Sequence, residues 1–325
     1  MKKRTLLLAT MAAATLCATP AMAQSNWPAK PIRLIVPYPA GGPVDLLGRA
    51  IAPRLGEVLG QPVVVENRAG GSGTIGMDAT IKAEPDGYTF GFGVPGGIAV
   101  LPHLQKLPYN VEEINYVSLV AKVPQVITVG PSVPVNSLPE LIALAKRDPG
   151  KLNYGSAGNV TTPHLGAELF AQEACIKMMH VPYKGAAPAI TALLGGEVQV
   201  LAADLPAVKG FTTRGVKILA VSGAQRWDSI PNVPSTTELG LPGVIVETNY
   251  GLIASKGTPT AITQKMREAI IATLATFGMQ PDGDIVWQSR RKSLYEAAFA
   301  KLGRQVFSCG CTRAGALSKK PRVPK

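Results

Sequence analysis

Short apolar runs alternate along this chain with segments in which apolar residues recur every three or four positions. Strand-like runs fall at residues 32–36, 63–66, 88–91, 116–120, 125–129, 152–154, 198–202, 217–222 and 244–253. Helix-like runs occupy residues 45–59, 138–147, 163–173, 188–195 and 259–276, with Gly/Pro clusters at the joins. This alternation predicts α/β layers with mainly parallel sheets. No low-complexity linker breaks the pattern, and the body is long for one domain and natural for two. Two domains without a flexible linker are joined most simply by strands, and the runs at 116–129 and 244–253 are the candidates. Pro53 lies inside the first helix-like run, where it removes an N–H and crowds the carbonyl of Arg49, so a kink is expected there.

The joins carry the candidate chemistry. Val36-Pro37-Tyr38-Pro39-Ala40-Gly41-Gly42-Pro43-Val44-Asp45 links a strand-like run to a helix-like run. Its prolines stiffen the approach and its glycines allow a tight turn, so a helix N-terminus with free N–H groups is offered to an anion. An ordinary turn with Asp45 as helix cap is the plainer reading of the same residues. Asn153-Tyr154-Gly155-Ser156-Ala157-Gly158-Asn159 repeats the design, and Thr161-Thr162-Pro163-His164 opens the next helix. Hydroxyls on Ser156 and Thr161 add side-chain donors, although Thr161 or Thr162 also suits a cap.

Other motifs are weaker. Gly71-Ser72-Gly73-Thr74-Ile75-Gly76 has the spacing of a dinucleotide fingerprint, but Asn67-Arg68-Ala69 separates it from its strand and Pro85 shortens the following helix. A tight turn before a short helix is expected instead. Gly155-Ser156-Ala157-Gly158 lacks the glycine two residues before the serine that a nucleophile elbow requires, Tyr154 standing there. His103, His164 and His180 fall in no triad pattern. Lys184, in His180-Val181-Pro182-Tyr183-Lys184-Gly185, reads as solvated or as a carboxylate contact. Asp204 follows a strand at the end where open α/β sheets place ligands. Glu66 and Arg68 read as a structural pair.

Charge first points elsewhere and then withdraws. The chain carries a net +12, yet residues 1–23 hold three Lys/Arg and no acids, and residues 285–325 hold ten Lys/Arg and only Glu296. Residues 24–284 therefore balance 20 basic against 20 acidic groups, and no nucleic-acid footprint remains in the body. Lys2, Lys3 and Arg4, the apolar stretch at residues 6–17 and Ala21-Met22-Ala23 form a secretory signal with cleavage before Gln24. Leu16 before Cys17 does not suit a lipoprotein anchor. Cys175, Cys309 and Cys311 remain after cleavage and form no paired framework, and Cys175 reads as a small core residue. The basic tail beyond Asp284 differs from the rest and reads as a solvated end, either a reading-frame artefact or a replacement.

These motifs, in order, resemble the Bug family, the TctC-like periplasmic solute-binding proteins of tripartite tricarboxylate transporters. The resemblance runs from the signal to about Asp284. It includes the Val36 to Asp45 loop, Val63-Val64-Val65-Glu66-Asn67-Arg68 and Pro85-Asp86-Gly87-Tyr88-Thr89. It continues through Asn153 to His164, His180 to Gly185, Ile230-Pro231-Asn232-Val233-Pro234-Ser235-Thr236 and Tyr250-Gly251-Leu252. It implies a two-domain α/β periplasmic binding protein of the Venus-flytrap type II class, with a ligand cleft between domains. The implied domains are residues 24–122 with 247–284, and residues 123–246. The first pincer is implied at Tyr38, Pro39, Ala40, Gly41, Gly42 and Asp45. The second is implied at Ser156, Ala157, Gly158, Asn159 and Thr161, with His164 nearby and Asp204 on the cleft wall. The expected ligand is a small organic carboxylate held without cofactor or metal by a monomer that serves a membrane permease. A ligand sensor feeding a signalling partner is the alternative, and an exported hydrolase using Ser156 is a more distant one. Ala40 departs from the family's usual proline, several residues are missing near 275–279, and the C-terminal helices are not recognisable after Asp284.

Overall fold

The computed structural model describes residues 27–279. The signal at 1–23, Cys309, Cys311 and the basic tail lie outside them. The first half begins with β1 (Ile32–Val36), α1 (Pro43–Leu59), β2 (Val63–Asn67), α2 (Thr74–Ile81), β3 (Thr89–Gly93), a one-turn α3 (Leu101–Leu104) and β4 (Ile114–Val129). There follow α4 (Leu138–Arg147), β5 (Asn153–Ser156), α5 (Thr162–Glu173), β6 (Met179–Pro182), α6 (Ala186–Gly195) and β7 (Val200–Asp204). The short α7 (Leu205–Lys209), β8 (Lys217–Val221), β9 (Glu247–Ser255) and α8 (Thr260–Thr276) complete the order.

Local chemistry explains the helix boundaries. Pro43 sits in the first turn of α1, where its missing N–H costs nothing, and Gly60 closes the helix in the left-handed conformation. Val44, Ile51, Leu55 and Leu59 recur at helical spacing and are buried. The helix runs as one segment through Pro53, so the proline does not interrupt it. Pro53 and Arg49 lie on the exposed face, where water can reach a carbonyl that loses its partner. At α4 the Ser137 hydroxyl accepts from Glu140 N–H (3.4 Å), and the Glu140 carboxylate accepts from Asn136 N–H (2.7 Å), a close relative of the capping box.

The strands follow the path β2-β1-β3-β9-β4-β7-β5-β6, with β8 also paired to β4. β1 pairs in parallel with β2 and β3, and β5 with β6 and β7. The four pairings that involve β4 or β9 are antiparallel, so the sheets are mixed rather than mainly parallel. The reason is β4, a 16-residue strand that enters both halves of the path. Its residues up to Pro124 pair with β9, and from Gln125 they pair with β7 and β8. The cores divide at the same point. Val117, Val120 and Val123 join Leu34, Phe90, Phe92, Leu252 and Met266, whereas Ile127 and Val129 join Leu141, Tyr154, Phe170 and Val200.

Cys175 is not the small core residue that the sequence suggests. It follows α5 with a positive φ of 52°, and its side chain is exposed while Ala174 and Ile176 on either side fill the core.

Candidate functional site

A cavity of about 40 Å³ lies where the first turns of three helices converge. Gly42, Pro43 and Val44 come from the start of α1, Thr161, Thr162 and Pro163 from the start of α5, and Ala186 and Ala189 from α6. Tyr38, Ala157 and the turn Val94-Pro95-Gly96 close its sides, and Asp204, Thr248 and Tyr250 form a polar wall. Among the described residues no Lys, Arg or His lines it. The positive ends of α1, α5 and α6 are therefore the favourable electrostatics available to an anion there.

The loops of the two halves meet around this cavity. A Cβ on Gly96 would lie 2.4 Å from the Val160 carbonyl oxygen, and one on Gly185 would lie 2.7 Å from Pro39 Cδ. Gly158 approaches the Ser72 hydroxyl, a Cβ there falling 2.9 Å from Oγ. At Gly96 the obstacle is backbone, so a side chain larger than hydrogen there would hold the two halves apart.

Of the residues singled out in the sequence, Tyr38, Gly42, Ala157, Thr161 and Asp204 line the cavity together. Pro39, Ala40, Gly41, Asp45, Ser156, Gly158, Asn159 and His164 are not among its lining residues. Several of these shape the loops instead. Asp45 lies in the first turn of α1 and accepts from Gly41 N–H (2.9 Å), Arg49 Nε (3.0 Å) and Asn67 Nδ2 (2.8 Å). Burial works against its charge, but the bonds from Arg49, Gly41 and Asn67 outweigh it and hold the carboxyl below the usual range. Asn67 also donates to the Tyr38 carbonyl (3.0 Å), so one network sets the path of the whole first loop.

The second loop is set from behind by an aromatic stack. His164 and His180 lie face to face with ring centroids 4.0 Å apart, and Tyr154 stacks on His180 at 4.8 Å. His164 Nδ1 accepts from Val160 N–H (3.0 Å), and His180 Nε2 lies 2.7 Å from Ser156 Oγ. The Ser156 hydroxyl also exchanges hydrogen bonds with the backbone of Gly158, whose carbonyl accepts from Thr161 Oγ1 (2.7 Å). Thr161 thus occupies the cap position of α5 while its hydroxyl ties the loop rather than the helix. Burial, and then the neighbouring His164, push His180 down to about 4; burial also lowers His164, partly offset by Glu168.

Asp204 ends β7 on the cavity wall, 3% exposed. It accepts from Thr248 Oγ1 (2.6 Å) and from the Tyr250 hydroxyl. Burial drives its carboxyl up to about 6 despite those two bonds. Lys184 is exposed and outside the cavity lining, and Glu66 bonds Arg68 (2.6 Å) and Arg33 (2.8 Å). Residues 71–73 form a tight turn before the eight-residue α2. Thr248, Tyr250 and the Val94 to Gly96 turn were not singled out from the sequence. Gly93-Val94-Pro95-Gly96-Gly97 has the same strand, proline and double-glycine make-up as the opening loop, and that was the signal.

The family model of the tripartite tricarboxylate transporter family receptor (TctC) matches residues 47–280. The chain belongs to this receptor family. It is 37% identical over 287 residues to the UPF0065 protein in the gbd 5′ region of Cupriavidus necator, covering 85% of this chain and 87% of that one. Among solved structures, Rpa4515 of R. palustris with adipate is 33% identical with a TM-score of 0.75, over 86% of this chain and 96% of that one. MatC (Rpa3494) from Rhodopseudomonas palustris with bound malate is 29% identical with a TM-score of 0.72, over 76% and 85%. The α/β fold of this TctC-family receptor is that of the periplasmic binding protein BugD, 32% identical with a TM-score of 0.73 over 86% of this chain and 95% of that one. A 45-residue stretch, 14% of the chain, is 60% identical to part of a Glutamyl-Q tRNA(Asp) synthetase of Janthinobacterium sp. (strain Marseille), 15% of that protein.

Proposed function

We propose that this receptor captures a small organic carboxylate in the cavity between its two halves and delivers it to a membrane permease of the tripartite type. The observation that carries the reading is the convergence of three helix N-termini on a cavity that no basic side chain lines among the described residues, in a fold whose relatives hold adipate and malate. Tyr38, Gly42, Ala157, Thr161 and Asp204 are the proposed contacts, joined by Thr248 and Tyr250. Asp45, Gly41, Ser156, Gly158 and His164 act as positioning residues for the loops. Such a site can hold an anion through N–H groups, hydroxyls and bridging waters.

The division of sheet pairings and cores at Pro124/Gln125 supports two domains joined through β4 and β9, closing by a hinge. The signal at residues 1–23 supports export to the periplasm. Among the described residues no helix is long and apolar enough to cross a membrane. Binding without catalysis fits the Ser156–His180 contact. Ser156 is fully buried and does not line the cavity, and the carboxylate of that cluster, Glu168, bonds Tyr154. The family match ends at residue 280, and the 45 residues beyond it are rich in Lys and Arg. Their basic composition supports either a reading-frame artefact or a replaced C-terminal segment, which sequencing the gene through the Asp284 codon tests.

Thermal unfolding with a panel of malate, succinate, adipate, glutamate and benzoate tests the function. A ligand at about 100 times its Kd adds about 2.7 kcal/mol, or roughly 5–10 °C for a body of this size. Unchanged unfolding with the whole panel would contradict the reading.

A further inference from the structure

The polar wall of the cavity holds a carboxylate that, among the described residues, has no basic side chain beside it in the cavity lining. Asp204 is 3% exposed, and its oxygens accept from Thr248 Oγ1 at 2.6 Å and from the Tyr250 hydroxyl. The titratable groups that face it are phenols: Tyr250 on β9 and Tyr38 on the loop after β1, each raised in pKa by burial and by the negative charge of Asp204. Gln125, its register partner on β4, is neutral. Lys209, the next basic residue along its own segment, is absent from the cavity lining and donates to the Ser229 carbonyl at 3.2 Å. No Lys, Arg or His among the described residues lines the cavity.

An anionic ligand entering this space meets a buried anion across a gap with room for few waters. Like charges in such proximity resolve by one of them taking a proton. A free carboxyl held up to about 6 by burial is already disposed to do so near neutrality. We propose that capture of an ionised carboxylate by this receptor takes up one proton from solution onto Asp204, so that affinity falls as pH rises. The balance is simple: ligand anion and one proton enter, and Asp204 leaves its ionised form with no covalent bond to the ligand. The neutral acid keeps an acceptor oxygen for its β9 partners and gains an O–H that donates toward the cavity. This rests on the carboxylate reading above and adds a coupling that makes the receptor release its ligand more readily under alkaline conditions.

Isothermal titration of the full chain with malate, succinate and adipate tests the coupling. All three acids are fully ionised between pH 7 and 8.5, so the ligand contributes no titration of its own. Runs in two buffers of different ionisation enthalpy are expected to give an uptake of about one proton per ligand at pH 7.5, and a Kd that rises by up to about tenfold per pH unit. Asp204→Asn is expected to abolish the uptake, flatten the pH dependence and bind at pH 8 at least about tenfold more tightly than the wild type. Binding by the wild type without proton uptake, or uptake that persists in Asp204→Asn, would overturn the proposal. The wild-type buffer comparison decides the matter even if the variant does not fold. Absence of binding by all three acids to folded protein would instead remove the carboxylate reading on which the proposal stands.

Discussion

His164 Nδ1 accepts the backbone N–H of Val160 at 3.0 Å, and Val160 is a β-branched residue held at a φ of +61°. That conformation is strained for valine and persists only where its surroundings impose it. The strained residue lies in the loop that ends at Thr161 on the cavity, and its carbonyl is the atom that Gly96 approaches. One histidine therefore keeps the second loop in the shape that meets the first half.

Removing the strut releases the strain. His164→Ala is expected to lose about 1–3 kcal/mol of loop preorganisation. Ligand affinity then falls by about 5- to 100-fold. Adding Val160→Gly should recover part of the loss, because glycine adopts positive φ without penalty. Titration calorimetry of the single and double variants checks this, and equal affinity in wild type and His164→Ala would refute it.

Gly96 meets the other half backbone to backbone. Gly96→Ala puts a methyl 2.4 Å from a backbone oxygen, which cannot turn aside as a side chain would. The variant is expected to fold normally but to bind at least about tenfold more weakly, a loss of about 1.4 kcal/mol. Small-angle scattering should show less compaction on adding ligand. Wild-type affinity in Gly96→Ala would mean that this contact plays no part in binding.

The two buried titrations have opposite signs. His180 is lowered to about 4, chiefly by burial, so its contribution to stability is complete above the unfolded histidine value near 6.5 and is lost as pH falls toward 4. Asp204 is raised from 3.8 to about 6, so ionising it costs stability that is absent below pH 3.8 and full above about 6. The stability difference between Asp204→Asn and wild type is expected to shift in the variant's favour by about 2 kcal/mol between pH 4 and 7. Denaturant unfolding at the two pH values measures it. An NMR titration of the imidazoles should find His180 neutral at pH 5.5, and a midpoint near 6.5 would contradict the stack.

Much of the fold was legible because its signals are local. The run at 138–147 became α4 with the same ends, and the runs near 32–36, 63–66 and 217–222 became β1, β2 and β8 to within a residue. Strand direction was not legible, since the antiparallel pairings of β4 and β9 depend on where a long strand crosses between halves rather than on its composition. Cys175 was misread because its apolar neighbours point inward while its own positive φ turns it out. In the candidate site, loop positions such as Tyr38, Ala157 and Thr161 stand out by their turn chemistry. Thr248 and Tyr250 do not, because alternation along a strand gives no hint of the buried carboxylate that they face.

The cavity at the three helix N-termini is proposed to hold the ligand's carboxylate. A crystal structure of the protein with the tightest binder from the acid panel tests it most directly. The ligand's carboxylate is expected against Gly42, Ala157 and Thr161, enclosed by Tyr38 and Val94-Pro95-Gly96, with Asp204, Thr248 and Tyr250 on the opposite wall. A ligand bound elsewhere on the molecule with this cavity unfilled would contradict the account.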